Sequence, residues 1–249
     1  MMKKRNVMIL FSATVALTLA ACGSKEQSSS TSSNAAKTKY ASEVTHDGTP
    51  IKGGTLKYAI VSSSPFSGIF ADELSSDTND STIGGLLDES MFEYDENRKL
   101  TNTGLASIEF DVENKTATVT LNSKDYKWSD GQPVTIDDYI FAYQAIGNKD
   151  YTGVRYDDDY KNVVGMEEYH DGKADSVSGL EKVDDYTVKI HFKEMSPSMQ
   201  LAGGSVCAYI MPKHIFKDIP EAEWEKSEYV RGTKFVGLGQ FKIESIVAG

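Results

Sequence analysis

Strand-like alternation of apolar and polar residues recurs along the chain beyond residue 50. The pattern predicts a strand at residues 55–61, a hairpin formed by residues 108–110 and 116–121, a strand at residues 187–192 and a last strand at residues 241–247. Because alternate side chains of a strand point to the same face, the central strands are each expected to bury one apolar row. The inward residues are expected to be Ala117, Val119, Leu121, Val188, Ile190 and Phe192.

Helical spacing of apolar residues predicts further elements between these strands. A short helix is expected within residues 80–92. Another helix is expected to begin after Thr135, where Asp138 completes the spacing of a capping box, and to end at Gly147. Residues 211–216 are expected to start a short helical segment. The buried face of the helix after Thr135 is expected to carry Ile136, Tyr139, Ile140, Tyr143 and Ile146.

This mixture of strands, hairpins and helices indicates a fold class. It favours the α/β class, in a mixed α+β arrangement, over a helix bundle or a β-sandwich. Residues 151–179 are rich in Asp, Tyr and Gly and are expected to form long loops with short elements. The folded part is expected to begin near Ile51.

The amino terminus has the layout of a signal peptide over residues 1–21. A cationic start at residues 3–5 precedes an apolar run at residues 7–21, which is short for a transmembrane span of about 20 apolar residues. The run ends in Leu-Ala-Ala-Cys at residues 19–22, which resembles a bacterial lipobox. Lipidation of Cys22 is therefore expected, and the alternative is an ordinary cleavage site. A pair of acyl chains holds a protein stably on a membrane, whereas one chain does not.

Composition adds to this picture of an exported protein. Residues 22–50 are expected to form the lipidated Cys and a disordered Ser-rich spacer, because they are polar and lack apolar periodicity. The net charge of −11 disfavours binding to nucleic acid or anionic lipid. With Cys22 lipidated, Cys207 is left without a disulfide partner, so a packed core has to stabilise the fold.

Candidate catalytic and metal-binding motifs are weak. Residues 203–207 begin like a nucleophile elbow at Ser205, but Cys207 stands where that turn needs Gly. Cys207 lies in an apolar setting without an adjacent cation that would activate its thiol. The acidic runs at residues 77–80 and 157–159 lack calcium-loop spacing and are expected to be solvated loops. The four histidines, His46, His170, His191 and His214, do not have the spacing of metal ligands. The sequence therefore predicts neither an enzyme nor a cofactor or metal site.

Several sequence blocks beyond the spacer resemble one protein family. The most specific block is WSDGQPVTIDDYIFA at residues 128–142. It is supported by GGTL at residues 53–56 and FVGLGQF at residues 235–241. Shorter matches are DGKA at residues 171–174, SG at 178–179 and DDYTV at 184–188. On these blocks the chain resembles the extracellular solute-binding proteins of the oligopeptide-binding class, family 5, which serve ABC importers.

This resemblance implies a fold and a site. It implies the first lobe of a two-lobe, periplasmic-binding-protein-like fold over residues 51–249, with an inserted subdomain at about 93–175 and the second lobe missing. Family members usually have Gly-Thr-Gly-Pro where this chain has Gly237 to Gln240. They hold an extended peptide between the lobes, largely by backbone hydrogen bonds. First-lobe ligand contacts would come from Ser62, Ser63, Ser64, Pro65, Phe66, Ser205 and Cys207, for which plain loop and core roles are the alternative.

Two functional hypotheses follow. The first is a lipid-anchored receptor on the outer face of a Gram-positive cell membrane, with peptides and the permease subunits of an ABC importer as partners. The second is a non-transporting remnant or a surface interaction lipoprotein, because a lobe without its partner exposes apolar surface. An anchored hydrolase would require Ser205 or Cys207 as its nucleophile.

Overall fold

A computed structural model describes residues 48–49, 52–62, 66–201 and 206–247. The predicted signal peptide, Cys22, Ser63–Pro65 and Ser205 lie outside these residues. The chain divides into two compact units, Met1–Lys57 and Tyr58–Gly249. Residues 48–49 and 52–57 of the first unit have no regular secondary structure. No helix in the described ranges is both long and apolar enough to cross a membrane.

The second unit contains an antiparallel sheet of four strands in the order β1-β2-β4-β3. The strands are β1 (Ala106–Asp111), β2 (Thr116–Leu121), β3 (Leu180–Asp184) and β4 (Thr187–His191). The predicted hairpin is confirmed as β1 and β2, and the predicted strand at residues 187–192 is confirmed as β4. The sequence pattern missed β3, because this edge strand is largely exposed and carries no buried apolar row.

Two predicted strands at the margins of the second unit are wrong. Residues 52–62 and 241–247 have no strand pairing. Their apolar side chains stand open to solvent, with Val61 98% and Val247 90% exposed. Alternation provides a strand with an apolar face, but a strand also needs a neighbouring backbone to accept and donate its hydrogen bonds. No described strand pairs with either segment, and the second has a single such bond, from the Phe241 N–H to the Leu86 carbonyl at 3.2 Å.

Helix α1 (Thr78–Leu87) is flanked by two aspartates, Asp77 before its first residue and Asp88 after its last. The Asp77 carboxylate caps its start by accepting from the Asn79 N–H at 2.8 Å. The predicted helix at residues 80–92 is thus shifted and shorter, because Asp88 adopts an extended backbone and Met91 reaches the core from outside the helix. Removing a cap of this kind costs about 1 kcal/mol.

Helix α2 (Ile136–Gly147) confirms the predicted capping box and the predicted end of the helix. The Asp138 carboxylate accepts from the Thr135 N–H at 2.9 Å. The helix packs against β3 and β4 and forms the centre of the core. Its largest fully buried side chains belong to Ile136, Tyr139, Tyr143 and Ile146.

Short helices connect these larger elements, as predicted for residues 151–179 and 211–216. They are α3 (Asp158–Lys161), α4 (Met166–His170), α5 (Lys213–Phe216) and α6 (Glu228–Arg231), with short 3₁₀ helices at Pro197–Gln200 and Glu221–Lys226.

The segment at residues 235–241 lies directly on the end of α1. The Gly239 N–H donates to the Leu87 carbonyl at 2.9 Å, and the Gly237 carbonyl accepts from the Ser129 N–H at 2.9 Å. A Cβ at Gly239 would lie 2.6 Å from the backbone nitrogen of Asp88, closer than real atoms approach. Glycine is therefore required here by close backbone contact, and two of the sequence blocks noted above meet in space.

Candidate ligand-binding site

The extended segment at residues 206–210 runs between two cavities of the second unit. Its backbone is held on both sides. The Ala208 carbonyl accepts from the Met91 N–H at 3.0 Å. On the side of α2, the Cys207 N–H donates to the Tyr143 hydroxyl at 2.9 Å and the Tyr139 hydroxyl donates to the Cys207 carbonyl at 2.8 Å. The segment is therefore a fixed wall shared by both cavities.

The first cavity, which we call the arginine pocket, has a volume of ≈ 240 Å³ and is lined by Arg155, Tyr160, Cys207 and Tyr209 among others. Arg155 Nη2 donates to the carbonyl of Ser75 at 3.0 Å, and its guanidinium lies 5.3 Å from the centre of the Tyr209 ring. Arg155 Nε is buried without a hydrogen-bond partner in the described chain, and the Tyr160 hydroxyl interacts with the Cys207 thiol. The arginine pocket is therefore lined by both polar and aromatic groups.

The second cavity, which we call the acidic pocket, also has a volume of ≈ 240 Å³ and is lined by Asp72, Glu73, Asp88, Ser90 and Tyr209 among others. Burial, with a smaller contribution from the nearby Asp88 charge, raises the pKa of Glu73 to about 8. Burial likewise raises the pKa of Asp88 to about 7 and that of Asp72 above its usual range. These carboxyl groups therefore hold protons at a pH where exposed acids have lost them.

Among the predicted ligand contacts that the structure describes, Cys207 alone lines one of the two cavities, the arginine pocket. Its side chain is 3% exposed, and burial raises the pKa of its thiol to about 12. A thiol of this kind is a poor nucleophile, because the thiolate is the reactive form. Cys207 lies in the wall between the cavities, as the predicted ligand contact requires. Its burial equally fits the alternative prediction, in which it is a core residue.

The other predicted ligand contacts either lie away from both cavities or fall outside the described residues. Ser62 accepts a hydrogen bond from Asn79 Nδ2 at 2.9 Å near the start of α1. Phe66 is half exposed, and its ring packs 5.8 Å from that of Phe70. Neither residue lines the arginine pocket or the acidic pocket. Ser63, Ser64, Pro65 and Ser205 lie outside the described residues, so their role stays a prediction.

The acidic runs noted in the sequence are helix starts rather than the expected solvated loops, and the first aspartate of each run caps its helix. The Asp157 carboxylate accepts from the Asp159 N–H at 3.0 Å at the start of α3, as Asp77 does for α1. In the described part of the chain, no three His, Cys, Asp or Glu side chains are arranged to hold a metal ion. His214 instead pairs with Asp130 at 2.8 Å, and His191 pairs with Glu181 at 3.0 Å.

The sequence pattern did not single out the polar residues that line the two pockets. Glu73 and Asp72 stand in a polar stretch before α1, and Asp88 follows its last turn. Arg155 is the one basic residue between Asp150 and Tyr160, which is the only sequence signal that could have marked it. Their burial arises from contacts between distant segments, so spacing along the chain does not reveal it.

Comparison with known proteins identifies relatives of this chain in both sequence and fold. A family model described as "Bacterial extracellular solute-binding proteins, family 5 Middle" matches residues 102–249. The oligopeptide-binding protein OppA of Lactococcus lactis subsp. lactis is 36% identical to the chain, and the match covers 100% of this chain and 42% of that protein. The chain thus spans less than half the length of the curated relatives it matches.

Solved structures give the same picture. The structure of lactococcal OppA complexed with an endogenous peptide in the closed conformation matches with a TM-score of 0.70 and 37% identity, over 76% of this chain and 36% of that one. The structure of AppA from Bacillus subtilis in complex with a nonapeptide matches with a TM-score of 0.58 and 28% identity, over 73% of this chain and 32% of that one. The predicted mixed α/β fold is confirmed, over an extent that fits one lobe of such a protein.

Proposed function

Because the chain belongs to family 5 of the bacterial extracellular solute-binding proteins, we propose that it acts as a peptide-binding receptor component of an ABC oligopeptide importer. The observation that carries the proposal is the pair of cavities on either side of residues 206–210. A peptide needs an extended wall to lie along and pockets for its polar groups and side chains. The arginine pocket lies on one face of such a wall and the acidic pocket on the other, and both are lined by charged and aromatic side chains.

We place this receptor outside the cell, on the outer face of a bacterial membrane. Lipidation of Cys22 would hold it there, and the polar residues 23–50 would keep the folded unit clear of the surface. The lactococcal relatives favour a Gram-positive source. The permease subunits of the importer are its expected protein partners, and peptides are its expected cargo.

Peptide binding is tested by saturation-transfer difference NMR, which detects weak as well as tight ligands. The 249-residue chain is mixed with unlabelled peptides of five to nine residues, and with glucose and free amino acids as negative controls. We expect saturation to pass to the peptides alone. A chain that melts cooperatively by circular dichroism, yet transfers no saturation to any peptide, would contradict the proposed function.

The anchor is tested separately in a bacterial host. Labelled palmitate should enter the wild-type protein, and Cys22→Ser should abolish both the label and the membrane association. The matched control is Cys207→Ser, because Cys207 is buried in the folded unit. Equal labelling of the wild type and of Cys22→Ser would show that Cys22 carries no lipid.

A further inference from the structure

The Tyr209 side chain takes part in both cavities described above. It lines the arginine pocket on one side of residues 206–210 and the acidic pocket on the other. Within the described chain, Tyr209 and Ala208 are the two residues that line both cavities, and Ala208 has only a methyl group. The orientation of the Tyr209 ring therefore sets the shape of both pockets at once.

Arg155 is the side chain that fixes the orientation of this ring. Its guanidinium carbon lies 5.3 Å from the centre of the Tyr209 ring. In the part of the chain that the structure describes, this ring has no other contact with a cation or with an aromatic ring. A guanidinium over an aromatic face attracts the ring, so it favours one orientation of the ring over others.

Arg155 itself is held by the turn that forms a wall of the acidic pocket. Its Nη2 donates to the carbonyls of Asp72 and Ser75, at 3.2 and 3.0 Å. The Tyr151 hydroxyl, which accepts from the Arg155 N–H at 3.4 Å, donates to the carbonyl of Glu73. The loop that contains Tyr151 and Arg155 thus binds three carbonyls of this turn. Because the turn lines the acidic pocket and Arg155 lines the arginine pocket, Arg155 joins the walls of the two.

The position of Arg155 carries a cost that folding alone does not explain. Its Nε is buried without a hydrogen-bond partner in the described chain, and burying an unpaired donor is unfavourable. A lysine would avoid this unpaired N–H. Its ammonium is a point charge, however, and cannot hold two carbonyls in a fixed plane while it covers a ring. The planar geometry of arginine is therefore what this position uses.

We propose that Arg155 is a positioning residue for peptide binding, which keeps the Tyr209 ring and the turn at residues 72–75 in the orientation that shapes both pockets. The inference rests on the proposed function and adds the residue on which the geometry of the site depends. It makes the planar guanidinium, and not the positive charge alone, the feature that peptide affinity requires.

The test replaces Arg155 with lysine, which keeps the charge and loses the planar fork. The probe is the peptide of the pool above that receives the most saturation from the 249-residue wild type, and its dissociation constant is measured by NMR titration. We expect Arg155→Lys to weaken binding by about tenfold. Urea unfolding of the same samples records the change in stability separately.

Arg231→Lys is the matched control. Arg231 also donates to backbone carbonyls of other segments, those of Glu225 and Ser67, but it lines neither pocket. The control variant should bind the probe within about twofold of the wild type. Equal weakening by Arg155→Lys and Arg231→Lys would show that the loss of any such arginine lowers the affinity, whatever its place in the fold.

A double-mutant cycle tests whether Arg155 acts through the Tyr209 ring. Tyr209→Leu removes the aromatic face and keeps apolar bulk, so Arg155→Lys should weaken binding by less than about twofold in that background. Tyr209→Phe keeps the aromatic face, so Arg155→Lys should there retain its effect of about tenfold. A residue that only stabilises the fold would lower the affinity equally in all three backgrounds.

Three results would overturn the positioning role while leaving peptide binding intact. They are wild-type affinity of Arg155→Lys, equal effects of Arg155→Lys and Arg231→Lys, and an effect of Arg155→Lys that Tyr209→Leu leaves unchanged. If Arg155→Lys did not melt cooperatively, Tyr209→Leu alone would decide, because it should weaken binding by about tenfold and wild-type affinity would refute the role. Failure of every peptide in the pool to bind the folded wild type would instead contradict the proposed function itself.

Discussion

At the scale of single residues, Asp138 shows how one buried carboxylate joins distant parts of the chain. Its Oδ2 accepts from the Thr135 N–H at 2.9 Å and from Trp128 Nε1 at 3.4 Å, and its Oδ1 accepts from the Lys213 N–H at 3.0 Å. Sequence spacing predicted the first of these contacts, because a capping box is local. The bonds from Trp128 and Lys213 depend on how the chain folds back, so no local pattern predicts them.

Replacement of Asp138 should be costly. Asp138→Ala leaves the N–H groups of Thr135, Trp128 and Lys213 without their acceptor, and we expect a loss of about 2–4 kcal/mol of unfolding free energy. Urea unfolding followed by fluorescence measures this loss.

Asp137→Ala is the neighbouring control. Asp137 pairs with Lys182 at 2.7 Å on the surface, and its removal should cost less than about 1 kcal/mol. Equal losses for the two variants would show that the buried hydrogen bonds of Asp138 are not what stabilises this region.

At the scale of elements, the sequence predicted the helices and strands that have a local apolar pattern. It missed a strand that depends on pairing with a neighbouring strand. The hairpin, β4 and α2 each bury a regular apolar row, and the periodicity found them. Strand β3 has hardly any buried face, so its pairing with β4 is the only thing that makes it a strand. Residues 55–61 show the reverse case, since they have the pattern but no pairing partner among the described residues.

The contact between α1 and the segment at residues 235–241 makes a prediction about glycine. Gly239→Ala places a methyl group against the backbone of Leu87 and Asp88, and we expect a loss of about 1–3 kcal/mol from overpacking. Gly85→Ala adds the same methyl group inside α1, where nothing lies within 4 Å, and should gain about 0.5–1 kcal/mol of helix stability.

Thermal unfolding of these two variants beside the wild type measures both effects. A lowered midpoint for Gly239→Ala and a raised midpoint for Gly85→Ala are the expected results. If Gly239→Ala melted at the wild-type temperature, the close backbone contact would not be a requirement of the fold.

At the scale of the whole molecule, the buried acids set how stability depends on pH. Glu73 and Asp88 have folded-state pKa values raised to about 8 and about 7, so the folded chain holds protons that the unfolded chain has already released. Stability falls with rising pH wherever the folded state binds more protons. The contribution of these groups is therefore present below about pH 5 and is lost as the pH rises towards 8.

The corresponding prediction concerns Glu73→Gln. Its unfolding free energy should fall less than that of the wild type between pH 5 and pH 8, with a difference on the order of 3–4 kcal/mol, because burial raises the pKa of Glu73 from 4.5 to about 8 and each pKa unit is worth about 1.4 kcal/mol. Urea unfolding at several pH values measures the slope. Glu93→Gln, which removes an exposed carboxylate, should keep the wild-type slope, and equal slopes for all three proteins would contradict the linkage.

The hydrogen bond from the Leu238 N–H to Asp88 also bears on when the protein can finish folding. These residues are 150 positions apart in the sequence. Contacts between such distant positions close late, because a long loop has to be ordered first. A chain emerging from the ribosome would therefore leave the end of α1 unlocked until residue 238 has been made.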